Sequence, residues 1–419
     1  MAYMSSLSDK LKSLGVQIGV QDLTPAQDTE PPYPDLEKVY PGSWCETRSG
    51  SVFVAQKSYP ALYYQGEVSI YPEHPLDVIG DWAGADQLGE IPLDRFVFID
   101  TETTGLSGGA GTYTFLIGAG KFKENEFQIK QFFMSDPAEE AAQLTALEEY
   151  LAPAEVVVSY NGKAFDLPRL RTRYKIHGWP PPLSEIIHID LLHLMRSLYS
   201  AVLPNCTLGT IEHDLLKFTR NSHDIPGWQV AERYFQFLHT RDPDSLRGIF
   251  YHNEMDVLSM PAVLNTAASC LYRPQRVKPT RLRDFVSIAR FYRQLQDFDR
   301  AVELYHYAIE RADLGSGEML TGIKELSFLY KKAGRLDRAV PLWKKAADQE
   351  ELYAHIELAK AFEHSYVQYA EAVHWTLAAI DLHRTGKTQA PYAESLDELD
   401  HRLDRLKAKI TKKRTQQEG

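Results

Sequence analysis

Two carboxylates, Asp100 and Glu102, follow the apolar run Phe96-Val97-Phe98-Ile99. Such a run reads as a buried strand, and residues two apart on a strand share a face, so both carboxylates converge at one point on the sheet's edge. Anions held that close repel unless a cation lies between them. The following Thr103-Thr104-Gly105-Leu106 suits a tight turn where a phosphate or sugar approaches the backbone. A third carboxylate, Asp166, closes Asn161-Gly162-Lys163-Ala164-Phe165-Asp166 after the short strand Val156 to Val158, at a position where Asp serves as a helix N-cap. A fourth, Asp256, lies in the helical stretch Tyr251-His252-Asn253-Glu254-Met255-Asp256. His252 is four residues earlier and shares its helix face, whereas Tyr251 points about 140° away. Asp190, in His188-Ile189-Asp190-Leu191-Leu192-His193, competes for a ligand role but reads better as the cap of another helix.

These groups need a sheet and helices to hold them. Strands are predicted at Arg95 to Asp100, Thr112 to Ala119 and Glu126 to Phe133, the last two separated by a turn at Lys121 to Asn125. A helix from Pro137 to Leu151, the strand at Val156 and a helix from Asp166 to His177 complete a β-β-β-α-β-α order, which fits an α/β domain with a mixed sheet. Ahead of it, Ser51 to Ala55 alternates like a strand, and a proline-marked arm with a short helical start at Ser5 to Leu14 comes first. Downstream, Arg273-Pro274-Gln275-Arg276-Val277-Lys278-Pro279 reads as a basic linker. A helical pattern then recurs three times around Ala301, Ala339 and Ala372, each followed by aromatic and aliphatic residues, and resembles tetratricopeptide repeats. The predicted boundaries are an arm with a short β extension at 1–92, the α/β domain at 93–270, the linker at 271–284, repeats at 285–385 and a helical or frayed basic tail at 386–419.

At 419 residues, 44% hydrophobic and 25% charged, with mean hydropathy −0.35, the chain has the composition of a folded protein of two to three domains. Its three cysteines are far apart and support neither a disulfide framework nor a cysteine zinc site. No stretch is long and apolar enough for a membrane span, and a cytoplasmic location is expected. The net charge of −11 excludes coating of nucleic acid by bulk electrostatics, so any phosphate contact is local. Arg169, Arg171, Arg173 and Lys175, the linker cations and Lys163 are the candidates for it.

In this order the motifs resemble the DEDD exonuclease superfamily, relatives of the proofreading subunit of DNA polymerase on a ribonuclease H-like fold. Asp100 to Leu106 matches the first motif with high specificity, Asn161 with Phe165-Asp166 the second, and His252 with Asp256 the third. With the repeats, the whole is similar to a group of bacterial ribonuclease H-like proteins predicted to be exonucleases. The resemblance implies a ribonuclease H-like mixed sheet flanked by helices, followed by an all-α repeat domain. It implies a 3′-5′ exonuclease acting on single-stranded ends of DNA or RNA, with Asp100, Glu102, Asp166 and Asp256 holding two Mg²⁺ or Mn²⁺ ions. Thr103, Gly105, Leu106, Asn161 and Phe165 are assigned to substrate contact, and a protein partner to the repeats. One branch of the superfamily has His five residues before the last Asp and the other has Tyr four before it; here the His is at four and the Tyr at five. His252 is taken as the general base, with Tyr251 the alternative. The other readings are a scaffold without turnover that acts through its repeats, and a structure-specific endonuclease on the same metals.

Overall fold

A computed structural model describes residues 34–105, 109, 111–183, 186–274, 283–313, 315–385 and 394–418. The helical start at Ser5 to Leu14, most of the basic linker, and Leu106 lie outside the described residues. The strands are β1 (Gly42–Thr47), β2 (Gly50–Pro60), β3 (Tyr64–Gln65), β4 (Val68–Ser69), β5 (Phe96–Thr103), β6 (Thr114–Lys123), β7 (Glu126–Phe133), β8 (Val156–Ser159) and β9 (Ile187–Asp190). Seven of them form one mixed sheet in the order β1-β2-β7-β6-β5-β8-β9, with β3 and β4 a separate ribbon. β5 runs antiparallel to β6 and parallel to β8, which is parallel to β9. The turn expected at Lys121 to Asn125 is narrower, because β6 continues to Lys123 and Glu124 takes the left-handed conformation at φ 55°.

The helices of this part are α1 (Asp77–Ala83), α2 (Glu140–Leu151), α3 (Asp166–Ile176), α4 (Leu191–Tyr199), α5 (Leu208–Ile211), α6 (Gly227–Thr240) and α7 (Arg247–Tyr272). The central strand β5 is apolar on both faces because both are covered. Phe96 and Phe98 join a core with Val156, Val158, Val257 and Leu258 on the α7 side. Val97 and Ile99 pack with Ala142, Leu147, Leu167 and Leu170 on the α2 and α3 side. Asp100 and Glu102 continue the face of Phe96 and Phe98, so they emerge on the side of α7. Two glycines of β6 let α7 come close. A Cβ on Gly120 would meet Val257 Cγ1 at 2.8 Å, and one on Gly118 would meet Asn253 Oδ1 at 2.2 Å.

The strands expected ahead of residue 93 belong to the same sheet. β2 pairs with β7 from Phe53 opposite Phe133 to Pro60 opposite Glu126, and β1 pairs with β2. β7 is thereby spared an open edge, so the boundary drawn at residue 93 does not separate a β extension from the domain. Glu254 of α7 strengthens the join. Its buried carboxylate lies 2.6 Å from Lys57 Nζ and accepts hydrogen bonds from the Tyr40 and Tyr59 hydroxyls.

Seven further helices follow: α8 (Arg283–Gln294), α9 (Phe298–Arg311), α10 (Gly317–Lys332), α11 (Leu336–Ala347), α12 (Leu352–His364), α13 (Tyr369–Arg384) and α14 (Leu396–Glu418). Ala301, Ala339 and Ala372 are fully buried, as small residues must be where one helix approaches the next. This helical part shares a core with the α/β part. Trp82 stacks on Phe291 with centroids 6.5 Å apart, and the Tyr292 hydroxyl donates to the Leu271 carbonyl at 2.7 Å. No described helix is long and apolar enough to cross a membrane.

Candidate active site

Asp100 sits in β5 opposite Gly118 of β6. Asn253 of α7 reaches across the space left by that glycine and donates through Nδ2 to Asp100 Oδ2 at 2.8 Å. Gln131 of β7 fixes the Asn253 amide by donating to its Oδ1 at 2.8 Å and to the Phe250 carbonyl at 2.8 Å. Burial, then the charges of Asp256, Glu102 and Asp166, hold the Asp100 carboxyl well above its ordinary range. Glu102 is pushed up to about 8, chiefly by burial, with His252 opposing and Asp256 and Asp166 adding to the rise.

Asp166 opens α3 beyond the end of β8. Thr101, on the opposite face of β5 from Asp100, donates its hydroxyl to Asp166 Oδ1. Burial raises Asp166 to about 6, against the pull of that hydrogen bond. The turn before it contains Asn161 in the left-handed conformation at φ 66°. Asp190 holds this turn. Its buried carboxylate accepts from the backbone N–H of Asn161 at 2.9 Å and of Lys163 at 3.0 Å, while capping α4 through the Leu192 N–H at 3.1 Å. With those bonds made, Asp190 is a clamp on the turn that presents Asp166. Ser159 and His188 brace the same strand ends, with the Ser159 hydroxyl 2.7 Å from His188 Nε2.

His252 and Asp256 lie on the α7 face that meets the end of β5. One donor atom each from Glu102, His252 and Asp256 falls within 4.8 Å of the others. His252 Nδ1 is 2.8 Å from Asp224 Oδ1, and its Nε2 is 3.6 Å from Asp256 Oδ2. Burial alone would depress this imidazole, but the Asp224 hydrogen bond and the charges of Asp256 and Glu102 raise it to about 9. The imidazole taken as the general base is thus held toward its protonated form by the carboxylates around it. Tyr251 points elsewhere, as its helix angle requires. Its hydroxyl accepts from the Asn221 N–H at 3.2 Å, and its ring meets His223 edge-on.

Arg220 is the group that sequence reading missed. It comes from the loop after the π-helical turn Glu212–Leu216 and donates to Asp256 Oδ1. Glu212 holds it as a fork, at 2.8 Å to Nε and 2.7 Å to one terminal nitrogen. Asp224 lies 3.6 Å from the other terminal nitrogen. Burial would lower the guanidinium pKa, and the facing carboxylates raise it instead. An aperiodic loop gave no signal for Arg220 or Asp224, and Glu212 stands on the short π-helical turn before it. Asn253 was missed as well, although its place three residues before Asp256 on one helix face is a signal that could have found it.

The remaining predicted residues separate. Thr103 and Gly105 lie at the end of β5, with the Thr103 hydroxyl donating to the Gly105 carbonyl at 2.9 Å. Phe165, 41% exposed beside Asp166, carries the Arg169 guanidinium 4.8 Å from its ring centre. Tyr160, just before the Asn161 turn and not among the predicted residues, donates its hydroxyl to the Cys206 carbonyl at 2.6 Å. Arg173 leaves the basic stretch altogether: it is buried against Glu140, donating to Oε2 at 2.7 Å, with its guanidinium 4.3 Å from the Tyr113 ring centre.

The oxygen-rich donor set fits a hard divalent cation, and the Asp100, Glu102 and Asp166 carboxyls are raised first by burial, with neighbouring carboxylates adding to the rise at Asp100 and Glu102. A family model described as RNase_H superfamily matches residues 97–268. Over 289 residues the chain is 36% identical to the uncharacterized protein YprB of Bacillus subtilis (strain 168), covering 67% of this chain and 68% of that protein. The family B DNA polymerase from the hyperthermophilic archaeon Pyrobaculum calidifontis aligns with 56% of this chain at 18% identity and a TM-score of 0.33. The chain spans 30% of that polymerase, an overlap too partial to bear on function. A sheet with acidic groups at the end of its central strand, the matched family and the extent of the YprB alignment agree: the chain belongs to the RNase H superfamily, a fold that points to nucleic-acid processing.

Proposed function

We propose that this protein is a divalent-cation-dependent 3′-5′ exonuclease of the DEDD type, acting on single-stranded ends of DNA or RNA. The observation that carries the reading is the cluster of Glu102, His252 and Asp256, one donor atom of each within 4.8 Å of the others, with Asp100 on the Glu102 face of β5 and Asp166 hydrogen-bonded to Thr101 of the same strand. These four carboxylates would hold two Mg²⁺ or Mn²⁺ ions, which supply charge neutralisation for attack on a phosphate and for departure of the 3′-oxygen. Asn253 orients Asp100, Thr101 orients Asp166, and Asp224 fixes the His252 ring through Nδ1. Neutralising Glu102 and Asp256 would remove the part of the pull on the His252 proton that the Asp224 hydrogen bond does not supply, easing Nε2 toward taking the proton of the attacking water. Thr103, Gly105 and Asn161 border the approach of the sugar-phosphate chain, and Phe165 offers a ring on which a terminal base stacks. The helices α8 to α13 form three tetratricopeptide-like pairs, a surface suited to a protein partner, and a cytoplasmic setting suits the whole.

Labelled single-stranded DNA and RNA, incubated with the purified chain and Mn²⁺ or Mg²⁺, should shorten from the 3′ end. Asp100→Ala should abolish this, and equal degradation by both proteins would overturn the assignment. A circular strand should survive, since its cleavage would mean an endonuclease. The guanidinium on Asp256 favours one rival, a binding module without turnover whose Arg220 stands in for a cation. Calorimetry with Mn²⁺ separates the two, because the scaffold has no use for ions.

A further inference from the structure

The helical part carries a groove of about 640 Å³ lined by α8 and α10, with Arg293, Lys324, Glu325, Phe328 and Lys332 among its walls. Its charge opposes that of the chain as a whole, which is −11. The one carboxylate in the groove wall is spoken for: Glu325 accepts from Arg290 Nε at 2.8 Å, from Arg293 at 3.4 Å and from the Tyr305 hydroxyl at 2.7 Å. Lys324 and Lys332 are both exposed, and among the described residues neither ammonium is paired with a carboxylate. Lys324 lies 4.9 Å from the centre of the Tyr353 ring, an aromatic contact that leaves its charge intact. Phe328 sits between these lysines on α10, 37% exposed, with its ring tilted against Tyr353 at 6.0 Å. Lysines at i and i+8 with a phenylalanine at i+4 lie along one helix face, so the cations flank the ring along the groove.

We infer that this groove binds the sugar-phosphate backbone of a single-stranded polynucleotide, with Lys324 and Lys332 on phosphates and Phe328 stacked against a base. Uncompensated cations flanking a partly exposed ring, which the Lys331 ammonium also approaches at 5.7 Å from its centre, suit a single strand, since every base has a face to stack and every linkage has a charge. An acidic peptide would answer the lysines, and would cover the ring only if an apolar or aromatic side chain stood among its carboxylates. The choice of a nucleic acid over a peptide rests on the proposed nuclease function, whereas the groove's polarity does not. The groove belongs to the helical part and shares none of its residues with the carboxylate site. It would thus hold substrate by contacts independent of cleavage.

The test uses the full chain with EDTA present, so that binding is read without cleavage, and a fluorescent single strand of about twenty nucleotides. The double variant Lys324→Gln/Lys332→Gln should bind about tenfold more weakly, and its slope of log affinity against log salt should be shallower by about 1.4, for two lost phosphate contacts. Phe328→Ala should weaken binding about tenfold with the slope unchanged. All three side chains are exposed, so these variants should melt as wild type does. Unchanged affinity and slope in the double variant would overturn the inference, as would absence of oligonucleotide binding by wild type. Binding of polyglutamate that depends on both lysines, with no oligonucleotide bound, would reassign the groove to an acidic protein. Cleavage with Mn²⁺ in wild type and its loss in Asp100→Ala are read separately, so failure of the groove and failure of the nuclease reading give different results.

Discussion

Asn253 reaches Asp100 only because residue 118 has no side chain: the amide oxygen of Asn253 lies 2.2 Å from where a Cβ of Gly118 would be. Gly118→Ala should therefore push the amide away from both Asp100 and Gln131. The expected cost is about 1–3 kcal/mol from overpacking, read as a lower urea midpoint. Asn253→Ala should cost a similar amount through the unmet partners, yet leave the sheet undisturbed. Both should reduce cleavage, and an unchanged rate in Asn253→Ala would remove that residue from the site.

The site should make the metal-free protein less stable as pH rises. Glu102, raised to about 8, binds a proton in the folded chain at pH values where the unfolded chain has lost it. Its contribution is full below the ordinary carboxyl pKa and disappears as pH passes through about 8. Asp166 acts in the same sense up to about 6, and His252, raised to about 9, does so from the ordinary imidazole pKa upward. Melting temperature in EDTA should therefore fall between about pH 5 and pH 9. Glu102→Gln should flatten the fall, and Mn²⁺ at pH 8 should restore stability with release of protons, measurable as a buffer-dependent heat. A flat pH profile in EDTA would contradict this.

Arg220 faces the buried Glu212 and shares Asp224 and Asp256 with His252. Arg220→Gln should destabilise the metal-free protein by about 3–5 kcal/mol, because Glu212 is left buried and charged. The same change uncovers Asp256, so Mn²⁺ should raise the melting temperature more in the variant than in wild type. Equal shifts in the two proteins would mean that the guanidinium and the cation do not compete.

Asp224 sets the charge of His252. In Asp224→Asn the imidazole should titrate below about 9, toward the ordinary histidine range, followed by NMR of the ring protons. Retention of the wild-type midpoint would show that Asp256 and Glu102 suffice to hold the proton.

Much of this arrangement was legible because it follows from periodicity. A period of two along β5 puts Asp100 and Glu102 on one face, and a spacing of four along α7 pairs His252 with Asp256. The cap at Asp190 was read from its neighbours, but its second role, clamping the Asn161 turn, needs a contact across 29 residues that no local pattern encodes. Arg173 misled for the opposite reason: it continues an alternation of basic residues, yet the turn of α3 sends it inward to Glu140. Arg220 is invisible for want of any period in its loop. That β1 and β2 join the domain's sheet was not legible, because a strand's partner is chosen by shape and register, and β2 finds β7 some seventy residues further on.

That pairing has a consequence for anyone who trims the protein. A chain begun at residue 93 would turn β7 outward as a bare border, eight residues long, with its amides and carbonyls seeking company. Such molecules adhere to one another, so a shortened version would be expected to precipitate or form oligomers, and its inactivity would say nothing about the carboxylates.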